Sequence, residues 1–300
     1  MFSFMTSRKL ICGRNAVEKV GLEAEQLGAS RVLIVTDKGI RDAGLDEKVI
    51  DSLSSRGIEY EIFDEVVPNP TIGNVKAGLG ALKSKGCDCV IGLGGGSSID
   101  CAKTIGVMAT NPGTVREYSE REGGEIINRT LPLIVINTAA GTGSEAGTAA
   151  VITDTEDKIK RIIGGFNMAP DVGISDPLLT VSLPPKQTAA TGVDALSHAI
   201  EAYVSKTSFP ISDALAKEAI EIISSNLRKA YADGRNLDAR EKMMEAQLLA
   251  GMAMSGGLGL VHSTGHNLGA GIYNIPHGIA MGVMLPYVMS FNLPGRIERY

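Results

Sequence analysis

An α/β fold with a mostly parallel sheet, followed by an all-helical half, is what the amino-acid sequence predicts. Short β-branched runs alternate with amphipathic segments through the first half, and the strand signal fades after Asp176. The runs are RVLIVT from Arg31, IEYEIF from Ile58, CDCVIGLG from Cys87 and LPLIVIN from Leu131. Between them, Asp42 to Arg56 and Thr71 to Lys85 carry apolar residues at three- and four-residue spacing, as crossover helices do. Strand and helix alternating in this way is the βαβ signature of a parallel sheet. Beyond Asp176 the periodicity predicts helices over Thr191–Ser205, Ile211–Tyr231 and Asp238–Ser255, then a Gly-rich passage and a last apolar helix from Gly278. The joint falls at Ser182-Leu183-Pro184-Pro185, because Pro185 donates no backbone hydrogen bond and restricts its neighbour. Two domains are expected, 1–180 and 181–300.

The 300 residues, 44% of them hydrophobic, are enough to build one or two buried cores. A net charge of −5 with scattered Lys and Arg argues against a nucleic-acid groove or a polybasic membrane anchor, so a small molecule is the expected partner. Cys12, Cys87, Cys89 and Cys101 lack CxxC spacing and read as reduced, structural thiols. The opening MFSFMTSRKLICG has no charged segment leading into a long apolar one, so a cytoplasmic location is expected. The apolar stretch from Gly278 to Phe291 is interrupted by Pro286 and too short to span a bilayer, so no membrane partner is expected.

Two glycine-rich loops follow strands. Gly92-Leu93-Gly94-Gly95-Gly96-Ser97-Ser98-Ile99-Asp100 opens a helix, where exposed amides and the positive end of the helix dipole attract an anion, and Ser97 or Ser98 could also cap that helix. Alone, such a loop is equally a tight βα turn without a ligand, and it is not a G-x-G-x-x-G fingerprint. The second loop, Thr138-Ala139-Ala140-Gly141-Thr142-Gly143-Ser144-Glu145, supplies three hydroxyls and two glycines, and two loops at strand ends favour a dinucleotide. Asp37, at the end of RVLIVTD, can accept from a ribose 2′-OH and would repel a 2′-phosphate, which favours NAD over NADP; by itself an Asp here more commonly just starts the turn before Gly39.

All four histidines, His198, His262, His266 and His277, fall in the second half in apolar or Gly-rich surroundings. Asp194 and His198 lie four apart in VDALSHAIEAY, one helical turn apart on one face, and can chelate a single ion. His262 and His266 repeat that spacing, and His277 opens the last helix. One such histidine is usually a satisfied core residue, but four with a carboxylate in phase point to a metal. Imidazole with one carboxylate suits Fe(II) or Zn(II), and spacing does not choose between them.

Together these motifs resemble the iron-containing (group III) alcohol dehydrogenases. The resemblance runs along essentially the whole chain: VTDKG from Val35, PNPT from Pro68, GLGGGSSIDCAK from Gly92, TAAGTGSE from Thr138, GVDALSHAIEAY from Gly192, and GLGLVHSTGHNLG through IPHG. It implies a Rossmann-like N-terminal domain, an all-helical metal-binding domain in a dehydroquinate synthase-like architecture, and a cleft between them for cofactor and metal. It further implies that Asp194, His198, His262 and His277 are the metal ligands, with Fe(II) favoured by three histidines and Zn(II) as the alternative. His266 becomes a non-ligand near substrate, either relaying a proton or hydrogen-bonding the alcohol. Gly95, Gly96, Ser97 and Asp100 are implied to surround the pyrophosphate of NAD, Thr138, Thr142 and Ser144 the nicotinamide side, Asp37 and Asn69 the adenosine side, and Lys160 the ribose. The implied activity is hydride transfer between NAD(H) and a primary alcohol or small diol, by a homodimer or larger homo-oligomer. Two departures stand out: GAGIYN, residues 269–274, is one residue longer than in many relatives, and relatives continue for several helices past Tyr300. The second departure gives the competing expectation of a truncated cofactor-binding chain without turnover; a glycerol dehydrogenase-like zinc enzyme and a dehydroquinate synthase-type lyase are the related alternatives. The lyase would need a basic pocket, yet Thr188 to Tyr203 and Met243 to Tyr287 contain no Lys or Arg.

Overall fold

A computed structural model describes residues 1–269, 273 and 275–300. Its main sheet has six parallel strands: β1 (Lys9–Cys12), β2 (Arg31–Val35), β3 (Glu59–Phe63), β4 (Cys89–Gly94), β5 (Leu133–Asn137) and β8 (Val172–Ser175). Their spatial order is β1-β8-β5-β4-β2-β3. Every residue of β4 and β5 is buried, as expected of central strands covered on both faces, and both read as apolar runs up to Asn137 at the end of β5. Residues of β2 alternate between two cores: Leu33 and Val35 face one with Ile99 and Ile105, and Val32 and Ile34 face the other with Val20 and Leu53.

The crossover helices are α1 (Val20–Gln26), α2 (Lys38–Asp42), α3 (Glu47–Ser54), α4 (Ile72–Lys85) and α5 (Gly96–Thr110). Thr71 caps α4 through a reciprocal box with Asn74, and Gly86 ends it in the left-handed conformation. The chain runs outward from β2 to β3 and then crosses back to β4, so the switch in direction lies between β2 and β4. Ligands of open α/β sheets bind outside the carboxyl ends of the strands at such a point, which here is where Asp37 and the Gly94–Ser98 loop emerge.

Two further strands, β6 (Ala149–Asp154) and β7 (Ile159–Gly164), form an antiparallel hairpin. Its inner charge is buried: Asp154 accepts from Nε of Arg161 and of Arg116, each at 2.7 Å. These guanidiniums outweigh the cost of burial and hold the Asp154 carboxyl well below the usual carboxylate range. The hairpin also receives the segment before α4, since Thr153 donates to the Pro70 carbonyl at 2.7 Å.

The helical region comprises α6 (Pro185–Val204), α7 (Pro210–Ala232), α8 (Leu237–Ala253), α9 (Leu260–Gly269) and α10 (His277–Asn292). Its core is rich in alanine, with Ala195, Ala199, Ala219, Ala246 and Ala250 letting α6, α7 and α8 approach closely. By contact density the chain divides into two compact units, one of 6–138 with 144–179 and one of 1–5, 139–143 and 180–300. Among the described residues no helix is long and apolar enough to cross a membrane.

The expected parallel sheet and helical half are present. Other features were missed or misread from sequence. Strands β1 and β8 are only four residues long, too short for a periodicity signal. Helix α6 starts at Pro185 rather than Thr191, because a proline at the first helical position gives up only an amide that has no intrahelical partner. The Gly-rich passage contains α9, whose two glycines are offset by burial of Val261 and His262. The long GAGIYN loop falls largely outside the described residues. Replacing Asp154 with Ala is expected to leave the buried Arg161 without its one buried anion, keeping only the exposed Asp157 and Glu122, and to lower unfolding stability by about 3 kcal/mol, measurable by urea denaturation; a change below about 0.5 kcal/mol would show that the hairpin does not depend on this pair.

Candidate metal centre and cofactor loops

Helix α6 projects Asp194 and His198 on one face, one turn apart, and both are buried. Helix α9 brings His262, also buried, and His277 enters from the first position of α10, directly after Pro276. Asp194 Oδ1 lies 3.4 Å from His277 Nε2, 3.7 Å from His262 Nε2 and 4.0 Å from His198 Nε2. One ligand atom from each of the four lies within 4.8 Å of every other. Corners of a tetrahedron with ~2.1 Å bonds stand ~3.4 Å apart, so the quartet needs only a small contraction to enclose an ion.

The electrostatics fit a cation. Asp194 Oδ1, His198 Nδ1 and His262 Nε2 are buried without a hydrogen-bond partner among the described residues. Such orphaned atoms are costly unless something compensates them. Burial pushes the His198 imidazole down to about 3, keeping it neutral, the form that ligates. Burial opposes the charged form of Asp194, but His198, His277 and His262 outweigh it and hold the carboxyl well below its ordinary range. Burial likewise disfavours a charged His262, yet the neighbouring carboxylates of Asp194 and Glu201 raise it to about 9. In the protein without metal, one proton thus serves where a metal would bring more charge. A metal with nitrogen and carboxylate preferences, Fe(II) or Zn(II), fits this donor set.

His266 is half-buried, its ring centroid 6.0 Å from that of His262 and 5.2 Å from that of His277. It therefore borders the quartet. Glu201 also belongs here, and the sequence reading missed it: its Oε2 meets His262 Nδ1 at 2.5 Å. The signal was available, since 194, 198 and 201 share one helical face.

The residues expected to bind cofactor fall mainly in the sheet-bearing unit. Asp37 caps α2 by accepting from the Ile40 amide at 3.2 Å, and its Oδ2 accepts from Ser98 Oγ at 3.2 Å. Gly94 has φ +146°, and a side chain there would meet Ser98 Oγ at 2.7 Å, so the loop requires glycine. Gly95 is the N-cap of α5 and no side chain caps it; Ser97 and Ser98 lie inside the first turn, where a hydroxyl cannot take that role. The Thr138 amide donates to the Gly94 carbonyl at 3.1 Å, which sets the two loops side by side. Asn69 is held at φ +57° between two prolines, and Lys160 lies on β7 opposite Thr153, close enough to Asp100 to favour its charged form.

Asp100 and Ser144 are themselves joined: Ser144 Oγ donates to Asp100 Oδ1 at 2.7 Å, and the Val151 amide donates to Oδ2 at 2.8 Å. Beneath them lies the fully buried Lys103, whose Nζ donates to the carbonyls of Ser144, Gly147 and Ala149 at 2.6–3.0 Å and to Ser144 Oγ at 2.9 Å. Thr142 instead sits on the loop tip 139–143, grouped with the helices, where Gly143 donates to Gln247 Oε1 at 2.8 Å. Sequence reading gave neither Lys103 nor Gln247 a role, because nothing local distinguishes a buried lysine on an apolar helix from a surface one.

Comparison with known proteins accords with this arrangement. Residues 7–177 match the family described as iron-containing alcohol dehydrogenase, and 188–300 match the C-terminal part of the Fe-containing alcohol dehydrogenase family. The chain is 44% identical to 1,3-propanediol dehydrogenase of Klebsiella pneumoniae, over all of this chain and 78% of that protein. It is 42% identical to NAD-dependent methanol dehydrogenase of Bacillus methanolicus, with the same coverage. Sulfoacetaldehyde reductase from Bifidobacterium kashiwanohense, solved in complex with NAD+, superposes with a TM-score of 0.91 at 33% identity, over 97% of this chain and 77% of that one. The chain belongs to the iron-containing alcohol dehydrogenase family.

Burial lowers the Lys103 ammonium from 10.5 to about 8. Its folded value thus lies below its unfolded one, so between those limits the unfolded chain binds the extra proton and stability rises with pH. Lys103→Met is expected to be less stable than the wild type at pH 7, and the gap in melting temperature should widen from pH 8 to 10.5. A gap that stays constant over that range would refute this account of Lys103.

Proposed function

We propose that this chain catalyses reversible hydride transfer between NAD(H) and a primary alcohol or small diol, with the aldehyde as the oxidised product. The observation that carries the reading is the buried Asp194, His198, His262, His277 quartet, bordered by His266, in a member of the iron-containing alcohol dehydrogenase family. Asp194, His198, His262 and His277 hold the ion; Fe(II), or Zn(II) in its place, supplies Lewis-acid polarisation of the alcohol oxygen when bound. His266 takes the hydroxyl proton, and bound NAD+ would supply the acceptor for the carbon-bound hydrogen as hydride, so that one alcohol and NAD+ give one aldehyde, NADH and a proton.

Asp37, at the carboxyl end of β2, accepts from the adenosine ribose and selects NAD over NADP, with Asn69 on the same side. The amides of Gly95, Gly96 and Ser97 take the pyrophosphate at the start of α5, with Asp100 beside them. Thr138, Thr142 and Ser144 line the nicotinamide side and Lys160 the ribose. In this reading 1–180 forms the dinucleotide-binding domain and 181–300 the metal-binding domain. Family membership favours this activity over a dehydroquinate synthase-type lyase, a glycerol dehydrogenase-like zinc enzyme or a chain without turnover. A cytoplasmic setting accords with the buried thiols of Cys87, Cys89 and Cys101. Val283, Tyr287 and Phe291 are exposed one turn apart on α10, and this apolar stripe supports a homodimer or larger assembly.

Anaerobic NADH oxidation with small aldehydes tests the reading directly. Metal-stripped protein should be inactive, Fe(II) should restore turnover, and Asp194→Ala should abolish the restoration; equal activity in all three samples would refute it. His266→Ala should lower kcat about 100-fold and flatten the pH-rate profile; an unchanged profile and turnover would remove His266 from the proton path.

A further inference from the structure

We infer that Glu201 is a positioning residue of the metal centre, a single carboxylate that fixes the orientation and tautomer of His262 while locking together the two helices that carry three of the four ligands. The inference rests on reading the quartet as a metal site. Glu201 follows Asp194 by seven residues and His198 by three on α6, so it shares their face. It is 3% exposed. Among the described residues no lysine or arginine forms an ion pair with it, and burying a carboxylate that way demands other donors.

Helix α9 provides them. Glu201 Oε1 accepts from the Val261 amide at 2.7 Å, and Oε2 accepts from the His262 amide at 3.1 Å. These amides lie in the first turn of α9, where backbone donors lack intrahelical partners and a negative charge is favoured. Oε2 also meets Nδ1 of His262 at 2.5 Å. A side chain at Gly259 would stand 2.9 Å from Glu201 Oε1, so the approach to α9 is kept bare for the carboxylate.

The consequence is chemical as well as mechanical. A carboxylate accepts, so Nδ1 carries the proton and Nε2, the nitrogen 3.7 Å from Asp194 Oδ1, presents its lone pair to the ion. Such outer partners orient a ligating imidazole and raise its basicity, and their loss costs about 10- to 100-fold in metal affinity. Because α6 holds Asp194 and His198 while α9 holds His262, the Glu201 contacts also set the register between those ligands.

The test is Co(II) binding to the anaerobic, metal-stripped full chain, read by visible absorption in a competition titration, for wild type, Glu201→Gln and Asp194→Ala. Glu201→Gln should raise the Co(II) Kd by about 10- to 100-fold and alter the absorption bands, while the metal-free variant keeps a wild-type far-UV circular dichroism spectrum. An unchanged Kd and spectrum would overturn the role of Glu201 and leave the metal site standing. Wild type that binds Co(II) no better than Asp194→Ala would overturn the metal reading itself, and this inference with it. Should Glu201→Gln fail to fold, 15N histidine NMR of Zn(II)-loaded wild type decides the matter: a proton on Nδ1 of His262 is expected, and a proton on Nε2 would overturn the inference.

Discussion

Asp194 holds a carboxylate whose Oδ1 finds no hydrogen bond among the described residues, and three imidazole nitrogens converge on that oxygen at 3.4–4.0 Å. A buried negative charge of this kind is costly unless a cation or proton offsets it. The helical region is organised around that requirement. The phase of α6 places His198 beside Asp194, the start of α9 delivers His262, and Pro276 sets the point where α10 begins with His277. Small side chains elsewhere in the bundle allow helices to approach closely enough for residues distant in sequence to share one ion.

The sheet-bearing unit solves a different problem, that of keeping two glycine-rich loops in register. Glycine lets a backbone approach an anion, but it also leaves a loop free to wander. Lys103 and Glu145 counter that freedom from below. Lys103 gathers the carbonyls of Ser144, Gly147 and Ala149, while Glu145 accepts from Asn137 Nδ2 at 3.0 Å and from Ser175 Oγ at 2.6 Å, tying the second loop to β5 and β8. Asp100 and Ser144, both expected to face the cofactor, bond to each other within this framework. Rigidity beneath and bare backbone above is a division of labour suited to a phosphate-bearing ligand.

Much of this was legible in sequence, for physical reasons that differ from part to part. The central strands announce themselves because burial on both faces leaves no polar positions, as in Val90-Ile91 and Leu133–Ile136. The pair Asp194 and His198 was visible because helical geometry makes a spacing of four a spatial contact. The relation of His262 and His277 to that pair required tertiary structure; before it, clustering in the second half suggested a shared site, and the family resemblance singled them out as ligands. Glu201 escaped notice because an acidic residue on a helix usually faces solvent; its phase with Asp194 and His198 hinted otherwise, and the arrival of α9 shows what it binds. Lys103 escaped for the same reason. The β6–β7 hairpin drew no assignment from sequence, since Lys158 turns with φ +56° without the glycine that commonly marks such a turn.

The central claim is that one ion is held by three imidazoles and one carboxylate. X-ray absorption at the metal edge of the anaerobically Fe(II)-loaded or Zn(II)-loaded chain tests it most directly. The account predicts a first shell of nitrogen and oxygen only, at about 2.0–2.2 Å, with outer-shell scattering from three imidazole rings that falls to two in His262→Ala. A sulfur in the first shell, or imidazole scattering unchanged by that substitution, would contradict it.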